Sequence, residues 1–207
     1  MGDSERLIIE DGDADTDAIA AYEATRRDAV RRGLTAGGAV LGAALVPALL
    51  SARQAFAAGG QDDAGILASA IRLENTAVAA YAAAVQSGTL TPQLRRTAAL
   101  FGRQEAEHAA ALTAALKNMG GTPPAGTDAK LLAPLKSARS QKQIVQFAIE
   151  LETMVVAAYY DAAKKLRQAH LLQTSAQIMS NEGQHLVVLR QALGQNPVPH
   201  TFETGKA

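Results

Sequence analysis

The chain reads as an all-α protein, a four-helix bundle with one long crossover between its second and third helices. Three observations predict this. Ala is abundant, aromatics make up 4% of residues and Trp is absent, which suits close-packed helices better than a sheet. A helical segment occurs twice: Leu73-Glu74-Asn75-Thr76-Ala77-Val78-Ala79-Ala80-Tyr81 matches Leu151-Glu152-Thr153-Met154-Val155-Val156-Ala157-Ala158-Tyr159, with Leu, Glu, the Ala pair and Tyr coinciding without a gap. Each copy leads into a Glu-x-x-His. Glu105 and His108 begin 31 residues after Glu74, and Glu182 and His185 begin 30 residues after Glu152.

The elements follow in order. Gly59 to Asp63 form a loop with an N-cap candidate, and a first helix is predicted from Asp62 to Ser87. Its apolar face holds Ile71, Val78, Tyr81 and Val85, and Glu74 falls on that face. Gly88 is a C-cap, Thr91 an N-cap, and Pro92 suits the first turn of a second helix, Pro92 to Asn118. Gly120-Gly121-Thr122-Pro123-Pro124 stops it. Residues 120–140 are a long connection with a short helical piece around Leu131–Ser137. Such a length inside a small domain needs a reason. A helix of about 27 residues is roughly 40 Å long, and some twenty extended residues reach roughly 65 Å. The connection can therefore return along the whole bundle and leave the second and third helices parallel. The third helix is predicted from Ser140, its cap, to Leu166, with Ile144, Phe147, Ala148, Val155 and Tyr159 as its apolar stripe and Glu152 on it. The fourth runs from His170 to Leu193. The turn at Arg167–Ala169 has no Gly or Pro, so the repeat alone places it. Gly194, Pro197 and Pro199 open a tail too short for a substantial fifth helix.

Three regions are expected. Residues 1–24 form an acidic, disordered arm with Asp11, Asp13, Asp15 and Asp17 on alternate positions; the Gly and distal Glu of a calcium loop are misplaced there. Residues 25–57 combine a basic patch, a weakly apolar run from Gly33 to Leu50 and the small-x-small site Ala55-Phe56-Ala57, the three parts of a secretory leader. Arg26-Arg27 and the low hydrophobicity make this stretch resemble a twin-arginine signal peptide, with Ala29 where that pattern usually has Phe. The resemblance implies the twin-arginine export machinery as a partner, cleavage after Ala57 and a location across the cytoplasmic membrane, periplasmic or extracellular. An uncleaved leader would leave the protein membrane-anchored, although Pro47 interrupts the run. Residues 58–207 are the bundle domain. Residues 1–57 carry 9 acids and 6 Lys/Arg, residues 58–207 carry 11 acids and 14 Lys/Arg. Neither part is basic enough for nucleic acid. The absence of Cys excludes disulfides, thiolate zinc sites and iron–sulfur centres.

Glu and His three apart share a helix face, and a carboxylate with an imidazole can hold a metal ion. A single such pair is a weak signal, since polar helices often match it by chance. Two pairs, each with its upstream Glu, form the ligand set of di-iron and di-manganese carboxylate bundles: Glu74, Glu105, His108, Glu152, Glu182 and His185. Four carboxylates neutralise two divalent cations, two of them can bridge, and each imidazole adds a terminal nitrogen. Left without metal in an Ala-rich interior, the acids would stay protonated or cost several kcal/mol each. Tyr81 and Tyr159, seven residues after the lone Glu, are expected to hydrogen-bond the ligands or bear a radical, or simply to pack in the core. Glu150 lies about 200° around the helix from Glu152 and is expected to be exposed. Glu107 faces away from Glu105. His170 and His200 are read as surface residues, Met154 and Met179 as core filler.

At these residues, from Gly65 to Leu193, the chain resembles the ferritin-like superfamily, and most closely its exported bacterial members with twin-arginine leaders. The resemblance implies two iron or two manganese ions reacting with peroxide or dioxygen, as in peroxide dismutation or Fe(II) oxidation. The rubredoxin module of rubrerythrin is excluded because it needs four Cys. A storage cage is disfavoured by the short tail and the leader, and a homodimer is admitted. A second expectation, from another class, is a non-enzymatic envelope protein that binds or stores metal, protects against stress or binds a partner.

Overall fold

A computed structural model describes residues 62–205 of the chain. The expected acidic arm and leader, residues 1–57, lie outside the described residues. The described residues form five helices: α1 Asp63–Gln86, α2 Pro92–Asn118, α3 Ala129–Ser137, α4 Gln141–Ala162 and α5 Ala169–Ala192. Among the described residues there is no strand. No helix among them is long and apolar enough to cross a membrane.

Local sequence sets most helix ends. Asp62 caps α1 by accepting from Gly65 N, Thr91 caps α2 from Leu94 N, and Ser140 caps α4 from Gln143 N. Each satisfies an amide that the first turn leaves without a partner. Gly88 takes φ +69° in the α1–α2 turn, a backbone that a Cβ would strain. The turn between α4 and α5 works differently. The buried Asp63 carboxylate of α1 accepts from Arg167 N at 3.0 Å and Gln168 N at 3.1 Å. This draws the chain out of α4, which ends at Ala162 rather than at the predicted Leu166.

Side-chain pairings give the directions. Tyr81 of α1 meets Glu152 of α4, and Tyr159 of α4 meets Glu74 of α1. The pairing runs in opposite senses, so α1 and α4 are antiparallel. Gln104 with His185 and His108 with Glu182 show the same for α2 and α5. Because α1 and α2 also form a hairpin, α2 and α4 are parallel, and the crossover carries the chain back along the bundle as its length requires. Thr76, buried on α1, pins that crossover by accepting from Asp128 N at 2.9 Å. At the C-terminus, Arg190 of α5 pairs with Glu203 at 2.8 Å and holds the tail.

The core forms two apolar clusters. One gathers Leu67, Ile71, Leu112, Leu116, Phe147, Leu151, Val155 and Tyr159. The other gathers Tyr81, Ala98, Phe101, Val145, Ile149, Leu186 and Leu189. Met154 is buried, and Met179 packs at the boundary of both clusters. Of the predicted α1 face, Ile71 and Tyr81 are buried while Val78 and Val85 are half-buried. Tyr159 from one cluster and Tyr81 from the other both reach the same group of acids, which lies where the clusters meet.

Candidate metal centre

Helix periodicity turns Glu74, Glu105, Glu152 and Glu182 inward from four different helices. Each has zero relative exposure. His108 and His185 join them through the i, i+3 spacing, with Nδ1 at 3.2 Å from Glu105 and 3.1 Å from Glu182 respectively. Two overlapping groups result, with donor atoms within 4.8 Å of one another: Glu74, Glu105, His108 and Glu182; and Glu105, Glu152, Glu182 and His185. Glu105 and Glu182 belong to both. All six residues expected from the sequence are thus brought together.

The tyrosines cross over. Tyr81 donates to Glu152, and Tyr159 donates to Glu74, so each phenol serves the acid of the other repeat. Gly102 on α2 permits this packing. A Cβ there would lie 3.1 Å from Tyr81 Cβ, closer than carbon atoms normally pack. Glu107, His170 and His200 are exposed, as expected. Glu150 corrects the expectation: it is half-buried, because Gln146 donates to it at 3.0 Å and Gln195 in turn donates to Gln146. It stays outside both groups.

Electrostatics follow from burial and crowding. Burial raises Glu74 well above the usual carboxylate range, and the charges of Glu105 and Glu182 raise it further against the lowering effect of nearby His108. Burial likewise raises Glu152, with Glu105 and Glu182 adding to it. Burial opposes charging of the imidazoles, but the surrounding carboxylates outweigh it and hold His108 at about 12 and His185 at about 11. Burial also works against ionised Glu182, yet its contacts with both imidazoles and Glu152 bring it down to about 2. Both phenols are pushed well above their ordinary range, chiefly by burial, and remain protonated. Protons on imidazole and carboxyl groups therefore supply the positive charge that the acids need.

The donor set fits bound metal better than it fits protons alone. Glu74 Oε2, Glu105 Oε1, Glu152 Oε2, both Glu182 oxygens and His185 Nδ1 are buried and make no hydrogen bond. His185 Nδ1 sits 3.1 Å from Glu105, 3.1 Å from Glu182 and 3.3 Å from Glu152, close but without hydrogen-bond geometry. Buried polar atoms left unpaired cost about 1–3 kcal/mol each. A cation held by these carboxylate oxygens and imidazole nitrogens would remove that cost.

Two groups that share Glu105 and Glu182 inside four helices form a glutamate–histidine cluster that could bind metal. The ferritin-like domain family matches residues 62–195, and the chain belongs to that family. Comparison with curated proteins and with solved structures gave no match.

Sequence reasoning missed Gln104 and Phe101. Gln104 Oε1 lies 2.9 Å from His185 Nε2. The Phe101 ring stacks on His185 with centroids 3.9 Å apart and meets Tyr81 edge-on at 5.8 Å. Phe101 is four residues before Glu105, on the same helix face, and that spacing was the available signal.

Proposed function

We propose that the chain is an exported ferritin-like protein that holds two iron or manganese ions and acts with them on peroxide or dioxygen, or oxidises Fe(II), in the cell envelope. One observation supports this above others: six ligand side chains from four helices converge in two groups that share Glu105 and Glu182. Glu74 and His108 would hold one ion, Glu152 and His185 the other, with Glu105 and Glu182 between them. When bound, such a pair supplies the redox equivalents that reduce peroxide or dioxygen. Iron and manganese both accept this ligand set.

The chain's own residues set the conditions. Burial of the four acids keeps bulk water away and strengthens their hold on charge. Tyr81 and Tyr159 keep a proton at Glu152 and Glu74, where the hydrogen bonds fix each carboxylate's orientation. His108 is the ligand that reaches solvent, with 13% of its side chain exposed against 1% for His185, so small reactants are expected to enter on its side.

Anaerobic titration with Fe(II) or Mn(II) tests the reading. Saturation near two ions per chain is expected, and binding no greater than background refutes it. The full burial of the acids also suits a site that only stores or protects. The Glu105→Ala/Glu182→Ala variant separates these readings. Loss of peroxide turnover marks a catalytic site. Unchanged turnover with a lost metal-dependent rise in melting temperature marks a structural or storage one. Export is tested by the mature N-terminus of protein isolated from the envelope, which should begin at Ala58.

A further inference from the structure

The repeat gives both histidines the same position relative to their glutamates, but it does not give them the same neighbours. His185 is enclosed. Its side chain is 1% exposed, Phe101 covers one face of the ring at 3.9 Å, and its Nε2 lies 2.9 Å from Gln104 Oε1. An amide oxygen only accepts. Nε2 therefore carries a proton and Nδ1 is left to face Glu105, Glu152 and Glu182. A ligand imidazole whose far nitrogen is held this way has a fixed tautomer and ring orientation. His108 has no such support. Aligning Glu105–His108 on Glu182–His185 places Ile178 and Asn181 where α2 has Phe101 and Gln104. Ile178 is buried in the other apolar cluster, and Asn181 is a methylene shorter than Gln. Among the described residues, none holds His108 Nε2, and the side chain is 13% exposed.

We infer that Gln104 and Phe101 make the two metal positions unequal, with a resident ion on the His185 side and an exchangeable ion on the His108 side. Gln104 is a positioning residue: it acts through His185. For the His185-side ion to leave, a ring held by a stacked aromatic and a hydrogen bond must move. For the other, a partly solvated imidazole need only turn outward. The inference rests on the two-ion reading, and its test distinguishes the two.

The full chain is loaded anaerobically with Fe(II), and release is followed after adding an excess of a chromogenic Fe(II) chelator. Two phases of equal amplitude are expected, at least tenfold apart in rate. Gln104→Leu should speed the slow phase by about 10-fold or more, as loss of a ligand's supporting partner typically does, and leave the fast phase in place. Gln104→Glu retains an acceptor and should keep the slow phase. Two ions leaving wild-type protein in a single phase would overturn the inference while the two-ion reading stands. So would a slow phase that Gln104→Leu leaves unchanged in protein of wild-type helicity. Fewer than two ions bound to wild type overturns the two-ion reading, and this inference with it.

Discussion

The hairpin of α1 and α2 supplies Glu74, Glu105 and His108, and the hairpin of α4 and α5 supplies Glu152, Glu182 and His185 in the same order. The ligands are alike, but the surroundings are not. The α2 helix lends Phe101 and Gln104 to the histidine of the opposite hairpin, whereas Ile178 and Asn181 of α5 return no equivalent. The repeated residues build the cluster, and the unrepeated ones make its two halves differ.

The largest effect that can break this comparison comes from the shared acids. Glu105→Ala or Glu182→Ala should abolish both positions, because each acid belongs to both groups. Glu74→Ala should leave about one ion per chain, since the set around His185 stays complete. Metal analysis after anaerobic loading reads the difference. Equal losses from all three variants would mean that the two positions do not exist separately.

The second effect is pH-dependent. Glu74 and Glu152 have folded pKa values above their unfolded ones. Their folded forms keep protons that the unfolded chain releases, so stability falls as pH rises past the ordinary carboxylate range. The histidines, raised to about 12 and about 11, contribute fully below about 6.5, and that contribution is lost as pH rises towards the folded values. Glu182, lowered to about 2, acts oppositely, and only in acid. The melting temperature of metal-free protein should therefore fall from pH 5 to pH 9. The stabilisation conferred by Mn(II) should grow over the same range, because cations displace those protons. A flat metal-free profile contradicts this account of the charges.

Smaller effects sharpen the comparison. Tyr81→Phe and Tyr159→Phe each remove a buried hydrogen bond to a carboxylate, one per repeat, and should each cost about 1–3 kcal/mol in metal-free protein by chemical denaturation. Unequal costs would show that the asymmetry extends to the phenols. Asp63→Ala strips two amides of their acceptor at the start of α5 and should cost about 1–2 kcal/mol. Thr91→Ala loses one cap bond on α2 and should cost about 0.5–1 kcal/mol.

Much of this was legible because it is periodic. Four helices, the crossover and six inward ligands follow from spacing along one chain, and the caps Thr91 and Ser140 act within three residues. What escaped depends on distant residues. Asp63 fixes the α4–α5 turn from 104 residues away, so nothing at Arg167–Ala169 announces it. Gln104 and His185 are 81 apart. Glu150 was expected to be exposed from its angle on the helix alone, which takes no account of Gln195 arriving from the end of α5 through Gln146.

The most direct measurement is anomalous scattering from crystals grown with Mn(II) or Fe(II). Two peaks inside the bundle are expected, one bounded by Glu74 and His108, the other by Glu152 and His185, with Glu105 and Glu182 reaching both. An interior without anomalous density after loading, or a single peak served by only one histidine, would contradict the dinuclear assignment.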